Sequence, residues 1–370
     1  MEIVPGLHQI KTPMPSPALP YVMAYVLEGK DGISLFDTGY GTPAACEAMT
    51  VRLKELGFRP SDVQRVIVSH FHPDHLGMVG WVKEQSRDCE LVLMDKEWEH
   101  MSARMPQSAP TKDSNGKEIN DASPDDWSSG SDGWMLSHGI TQKELDDGRK
   151  TGRDRPPGMS PADMGAGNTK DKEVVKHPAS HGHMFGSGEP QVTLTDGEVI
   201  EFDGWSFEAV WTPGHTPGHL CLYERNHKLM FTGDHVLPHI TPNVSLHQEQ
   251  DGTSPLADFQ NSLRKVAKFD TAMALPAHEF NIRDLPARAR QLVGFHDERL
   301  DEVHHALSTT TATASEVSSR VHWNTGPFED FNIFSKRSAL GETLSHLVVL
   351  EDTGRVKRVE TDGFVRWEQA

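Results

Sequence analysis

A chain of 370 residues with 36% hydrophobic content can bury a full core, and its length predicts one large domain with a smaller appendage. The formal charge of -18 repels polyanions, and no run rich in Lys and Arg offsets it, so a nucleic acid partner is not expected. The N-terminus lacks a basic start, and no apolar run reaches the roughly 18 residues that span a bilayer, which predicts a cytoplasmic protein without membrane contact.

Short apolar runs separated by turn residues open the chain. They predict strands at 3–10, 22–27 and 33–36, a helix at 43–56, and a further buried strand that ends at residue 68. Strands therefore precede most helices in this part, as in a domain built on a large sheet.

A cluster of histidines directly follows the last of these strands, in the sequence Ser-His-Phe-His-Pro-Asp-His. In an extended chain His70 and His72 point to the same side, so one metal ion can take both imidazoles. Pro73 ends the strand and turns the backbone, which presents Asp74 and His75 in another direction. A second metal ion is therefore plausible, and we expect a hydrolytic site.

Residues 99–190 interrupt this pattern, because they are rich in Gly, Ser, Asp, Pro and Lys and offer one convincing helix, near 141–150. Long insertions of this kind are often lids or binding loops, although its methionines and tryptophans can equally anchor a loop to the domain. Its histidines lack an accompanying carboxylate or cysteine, which favours a plain loop, with His183 as a candidate for substrate contact.

A second set of short strands is predicted at 207–211, 219–224 and 229–232, followed by a helix at 256–269 and a strand at 272–275. Two sheets packed face to face with helices outside fit this order. Chemistry-bearing residues again stand at strand ends, and the segment beyond Asp234 carries His239 as a second candidate for substrate contact.

From residue 285 onward the pattern becomes helical, at 287–307, 314–321 and 339–350, and a hairpin is predicted at 356–367. We expect a hydrolase domain over 1–284 that includes the insertion, and a small C-terminal α+β unit over 285–370. The acidic residues of its last stretch favour packing or homodimer formation over DNA binding.

The His-x-His-x-Asp-His motif after an apolar strand resembles the signature of the metallo-β-lactamase superfamily. Three later segments resemble its remaining ligand motifs, namely Thr-Pro-Gly-His-Thr at 212–216, Phe-Thr-Gly-Asp-His at 231–235 and Leu-Pro-Ala-His at 275–278. Leu-Phe-Asp-Thr-Gly at 35–39 is similar to its strand-end Asp-Thr-Gly. The resemblance implies an α+β fold, the αβ/βα four-layer sandwich, and the C-terminal unit resembles the winged-helix-like tail of some members.

By position, this resemblance implies a binuclear site. One metal would be held by His70, His72 and His215, the other by Asp74, His75 and His278, with Asp234 bridging both. Asp37 and Ser69 would hydrogen-bond to ligands, although Asp37 can equally be a turn-forming strand end, and the same alternative is stronger for Ser69. We expect both divalent ions to be zinc. Manganese and iron are alternatives, because imidazole and carboxylate ligands do not distinguish between these metals.

The implied reaction is attack by a metal-bridging hydroxide on the carbonyl of a small-molecule thioester, or of an ester or lactone, with Asp74 orienting the hydroxide and taking its proton. A lactamase is not expected, because its site lacks the bridging aspartate that Asp234 supplies. Flavodiiron redox chemistry is not expected either, because the C-terminal portion is too short for a flavodoxin domain and has no phosphate-binding loop. An endoribonuclease or phosphodiesterase of the same superfamily is the alternative. A non-enzymatic scaffold would require loss of a ligand, and a DNA-binding role of the tail is a minor alternative.

Overall fold

The computed structural model describes residues 1–16, 19–103, 111–112, 118–119, 126–151, 188–202, 204–307 and 311–370. The chain divides into two compact units. Unit one comprises Met1–Ala103, Gly158–Pro242 and Asp258–Leu292. Unit two comprises Arg104–Pro157, Asn243–Ala257 and Val293–Ala370. No helix in the described ranges is long and apolar enough to cross a membrane.

The described strands and helices follow in chain order. The strands are β1 (Glu2–Val4), β2 (Leu7–Pro13), β3 (Tyr21–Glu28), β4 (Ile33–Phe36), β5 (Val63–Ile67), β6 (Glu90–Met94), β7 (Thr111–Lys112), β8 (Glu118–Ile119), β9 (Val192–Leu194), β10 (Val199–Phe202), β11 (Trp205–Trp211), β12 (Leu220–Glu224), β13 (Leu229–Gly233), β14 (Met273–Pro276), β15 (Ala312–Thr313), β16 (Val356–Thr361) and β17 (Phe364–Gln369). The helices are α1 (Pro43–Glu55), α2 (Pro73–Leu76), α3 (Val79–Gln85), α4 (Asp95–Ala103), α5 (Asp126–Ser137), α6 (Gln142–Thr151), α7 (Pro255–Val266), α8 (Leu285–Ala306), α9 (Ala314–Ser318) and α10 (Ile333–Asp352).

Unit one contains two sheets, each of which changes from antiparallel to parallel pairing along its strand order. The first has the order β1-β2-β3-β4-β5-β6-β9 and is parallel from β4 onward. The second has the order β10-β11-β12-β13-β14, and only β13 and β14 are parallel. Ligand sites in sheets with parallel strands usually lie at the carboxyl ends of those strands. In this molecule that rule points to the ends of β4, β5, β13 and β14.

The main core of unit one lies between these two sheets. Phe36 of the first sheet and Phe231 of the second are both fully buried, with ring centroids 5.2 Å apart, and Tyr25 meets Phe231 edge-on at the same distance. The opposite face of the first sheet packs against α1 and α3 through residues such as Leu53 and Val82. The predicted αβ/βα sandwich is therefore confirmed, and apolar burial on both sides of the first sheet holds its strand ends in place.

Unit two contains α5, α6, α9 and α10 with a three-stranded sheet of order β15-β17-β16. The predicted hairpin is confirmed, and it turns at Asp362 and Gly363, which both have positive φ as a two-residue hairpin loop requires. The sequence analysis missed α5, whose Gly and Ser content is poor for helices. The winged-helix-like assignment and the domain boundary at 284/285 stay predictions, and the division between the units falls within α8.

The predicted lid lies largely outside the described residues. Residues 152–187, which include His183, are not among those that the structure describes. The lid and a substrate contact by His183 therefore stay predictions.

Candidate metal centre

Three imidazoles converge at the first candidate ligand group. His70 and His72 follow β5, and Pro73 begins the short α2, so the chain turns where the sequence predicts it. His215 Nε2 lies 3.2 Å from His70 Nε2 and 3.0 Å from His72 Nδ1, and the two latter nitrogens are 2.9 Å apart. Three ring nitrogens that meet at one point suit a cation that accepts lone pairs from all of them.

A second group combines two carboxylates with two imidazoles. His278 Nε2 lies 3.2 Å from Asp74 Oδ2 and 3.4 Å from Asp234 Oδ1, and His75 Nε2 lies 3.5 Å from an oxygen of each carboxylate. Asp234 Oδ2 also lies 3.7 Å from His215 Nε2 of the first group. Asp234 therefore stands between the two groups, where the sequence analysis predicts a bridging ligand.

The unsatisfied polar atoms of the second group fit a divalent cation. Within the described part of the chain, the buried His75 Nε2 and Asp234 Oδ1 have no hydrogen-bond partner. Each such buried atom costs about 1–3 kcal/mol when nothing binds it. A metal ion with nitrogen and oxygen ligands would satisfy both atoms, so the side chains present fit the expected ions.

The electrostatics of the two groups differ. Burial and the nearby His215 lower the pKa of His72 to about 3, which leaves its ring neutral with a lone pair available. Burial raises the pKa of the Asp74 and Asp234 carboxyls, but the adjacent His75 and His278 lower it by more. Both pKa values therefore lie well below the usual range, and both carboxyls stay ionised. Burial lowers the pKa of His278, whereas the carboxylate of Asp234 raises it. The net result is that the pKa of His278 is raised to about 10. A metal ion bound here would compete with protons.

Asp37 and Ser69 orient two of the candidate ligands. Asp37 accepts from the Ser69 N–H at 2.7 Å, from the Ser69 hydroxyl at 2.9 Å and from His75 Nδ1–H at 2.8 Å. Ser69 Oγ, which donates to Asp37, lies 3.0 Å from His70 Nδ1 and can only accept from it. Both imidazoles therefore direct Nε2 toward the candidate metal positions. Asp37 also has a φ of 59°, so it turns the chain as well as binding neighbours.

Two buried residues of the site were missed by the sequence analysis. Glu97 in α4 is fully buried and accepts hydrogen bonds from both histidine-bearing loops. His219 is also fully buried, and its Nε2 accepts from the Asp234 N–H at 3.2 Å while its Nδ1 lies 2.8 Å from Thr212 Oγ1. The repeated Pro-Gly-His at 213–219 could have indicated His219, whereas Glu97 carries no local signal.

His239 belongs to neither ligand group. Its side chain is 73% exposed, its Nδ1 lies 3.7 Å from Glu279 Oε1, and its ring centroid is 4.9 Å from that of Phe280. The backbone N–H groups of His239 and Ile240 donate to Glu279 Oε2 at 2.7 and 3.3 Å. Because Glu279 directly follows His278, this loop is attached to the end of β14 that carries the candidate ligand.

Comparisons with known proteins show what the chain as a whole is similar to. A family model described as the metallo-beta-lactamase superfamily matches residues 19–278. A metallo-beta-lactamase family protein from Thermus thermophilus has 27% identity and a TM-score of 0.72, and the alignment covers 100% of both chains. A probable metallo-hydrolase of Bacillus subtilis is 24% identical over 347 residues, which are 92% of this chain and 91% of that protein.

Fungal relatives match over shorter segments. An atrochrysone carboxyl ACP thioesterase of Aspergillus fumigatus is 35% identical over 101 residues, which cover 27% of this chain and 22% of the thioesterase. The chain spans 36% of the length of a lactamase-like protein of Aspergillus niger. Each of these relatives matches only part of this chain, and one of them is named a thioesterase.

Proposed function

Because the chain belongs to the metallo-beta-lactamase superfamily, we propose that it is a metal-dependent hydrolase that cleaves thioesters, or esters and lactones. The observation that carries the proposal is the convergence of two ligand groups. Within each group the possible ligand atoms lie within 4.8 Å of one another. In this proposal His70, His72 and His215 would hold the first ion, Asp74, His75 and His278 would hold the second, and Asp234 would be shared between them.

Two divalent ions, when bound, lower the pKa of a water and polarise the oxygen on which negative charge develops. Zinc suits these imidazole and carboxylate donors, with manganese or iron as the alternatives. Among the protein groups, Asp74 is proposed to orient the attacking water and accept its proton. Its side chain is 14% exposed and its carboxyl is ionised, so water can reach a carboxylate oxygen that accepts a hydrogen bond.

The thioester class is supported by the fungal relative named as a thioesterase and by the overall charge. A formal charge of -18 disfavours the polyanionic backbone of RNA as a substrate. Fold alone does not separate these substrates, since the same ligands serve all of them. An endoribonuclease or phosphodiesterase is therefore kept as the other outcome of the experiment below.

His239 and Phe280 are the proposed contacts for the substrate's organic group. Phe280 is 50% exposed although it is large and apolar, and it lies two residues beyond His278. Arg288 holds the adjoining loop by donating to the carbonyl oxygens of Leu237, His239 and Ile240. A supported loop with an exposed ring is suited to packing against an acyl or aromatic group. The predicted homodimer and cytoplasmic location stay predictions.

The test is turnover by the metal-reconstituted protein across thioesters, lactones, esters, phosphodiesters and short RNA, with Asp74→Ala as the control. We expect thioesters or esters to be preferred and the variant to lose most turnover. A preference for RNA or phosphodiesters would support the alternative substrate class. Absence of turnover on every substrate by protein that carries two metal ions would contradict the hydrolase proposal.

A further inference from the structure

We propose that Glu97 is a positioning residue that sets the geometry of the first ligand group and thereby its affinity for metal. The inference rests on the proposed function, because it takes His70, His72 and His215 as metal ligands. Glu97 contacts the backbone and side chains beside these histidines in two separate loops. It acts through them and touches no substrate.

The carboxylate of Glu97 joins two loops that lie far apart in sequence. Its Oε1 accepts from the Phe71 N–H at 2.8 Å, and Phe71 stands between His70 and His72. The Thr216 hydroxyl lies 2.9 and 3.0 Å from the two oxygens of Glu97, and the Gly218 N–H donates to Oε2 at 2.9 Å. Thr216 directly follows the third histidine of the group. One side chain therefore fixes the spacing between both halves of this ligand group.

Burial makes this arrangement costly to replace. The Glu97 side chain is 0% exposed, and a buried carboxylate is tolerated because three donors satisfy it. The Gly218 backbone also lies directly against the start of α4, where an added Cβ would stand 1.9 Å from the Glu97 nitrogen. Only glycine permits this approach. The position of the loop that carries His215 therefore depends both on the Glu97 carboxylate and on this close backbone packing.

The second ligand group has other supports. His75 donates to Asp37, and His278 Nδ1–H donates to the Tyr21 carbonyl oxygen at 3.2 Å. Neither of these contacts involves Glu97. Loss of the Glu97 carboxylate is therefore expected to weaken one metal position and leave the other.

Glu224 offers a matched control for a substitution at Glu97. Its side chain is also 0% exposed, and it accepts from the N–H groups of Asn226 and His227 at 3.1 and 2.7 Å. It stands at the opposite end of β12 from the histidine loop, roughly 13 Å along the strand. Glu97→Gln and Glu224→Gln each remove a buried carboxylate that binds several donors, so they share the general cost to stability.

The experiment measures zinc binding by equilibrium dialysis, and the visible spectrum of each protein loaded with cobalt. Wild type is expected to bind two ions per chain. In Glu97→Gln one ion is expected to stay tight while the other weakens by about 10-fold or more, and the cobalt spectrum is expected to change. Glu224→Gln is expected to match wild type in both measurements, although it loses stability.

Two results would overturn the role of Glu97. One is Glu97→Gln with two ions at wild-type affinity and an unchanged spectrum, and the other is equal loss of metal in both variants. Wild type that binds no metal would instead overturn the proposed function, and the inference with it.

If Glu97→Gln does not fold, Thr216→Val removes one donor and keeps the carboxylate. A several-fold loss at one metal position then supports the role, and wild-type binding contradicts it.

Discussion

Buried histidines occur in both units of the molecule, but their nitrogens have different surroundings. In unit two, His346 Nδ1–H donates to the Glu342 carbonyl oxygen at 2.7 Å, and its Nε2 lies 3.2 Å from His296 Nδ1. In unit one, imidazole nitrogens converge on one another and on the carboxylates of Asp74 and Asp234. Burial alone therefore does not mark a histidine as a candidate metal ligand, whereas the convergence of several possible ligand atoms does.

The largest expected effect is that of metal removal. A chelator should abolish hydrolysis and lower the Tm, because an ion present at about 1,000 times its Kd stabilises the folded state by about 4 kcal/mol. Calorimetry and turnover before and after dialysis, followed by readdition of zinc, test this prediction. Full activity in protein shown to be free of metal would place the chemistry elsewhere.

Substitution of the proposed base comes next in size. Asp74→Ala should reduce kcat/KM by at least about 100-fold, since general-base catalysis contributes roughly that much or more. His346→Gln serves as the control, because it alters a buried histidine of unit two and should keep near-normal turnover. If Asp74→Ala stayed close to wild type, another group would have to accept the proton.

Acid should destabilise unit two through its histidine pair. Burial lowers the pKa of His346 to about 4 and that of His296 to about 3, while in an unfolded chain both titrate near 6.5. The stability they contribute is therefore present above pH 6.5 and is lost as the pH falls toward 4. Each histidine adds a slope of up to about 1.4 kcal/mol per pH unit.

The measurement for this prediction is chemical unfolding between pH 7 and 4.5, followed by signals from unit two. His346→Gln should show a shallower loss of stability than wild type over that range. Identical slopes in the two proteins would mean that the buried pair does not control the acid response.

The smallest expected effect concerns substrate contact. His239→Ala should raise KM for a thioester by about 5-fold, equivalent to about 1 kcal/mol, and leave kcat and metal content unchanged. Val199→Ala is a suitable control, because Val199 is 49% exposed on β10 and has no proposed role. An unchanged KM in His239→Ala would exclude this histidine from substrate binding.

Much of the candidate site could be predicted from sequence because its motifs are local. His70, His72, Asp74 and His75 stand within six residues, and the turn at Pro73 follows from the missing N–H of proline. The later candidates follow apolar strands, so a strand-end position could be assigned to each. The helix that precedes the predicted one in the insertion, α5, could not be predicted, because its Gly and Ser residues disfavour a helix that forms without tertiary packing.

The amino-acid sequence by itself predicted the strand-end motifs and two sheets packed face to face, because these follow from residue type and short spacing, and the family resemblance implied the candidate ligand set and the sandwich fold. The tertiary structure alone decided which groups support the candidate ligands. Glu97 meets Thr216 across 119 positions, and Asp37 meets His75 across 38. Such pairs depend on the order of strands in the sheets, which brings distant loops to the same edge, and no local pattern in the chain records that order.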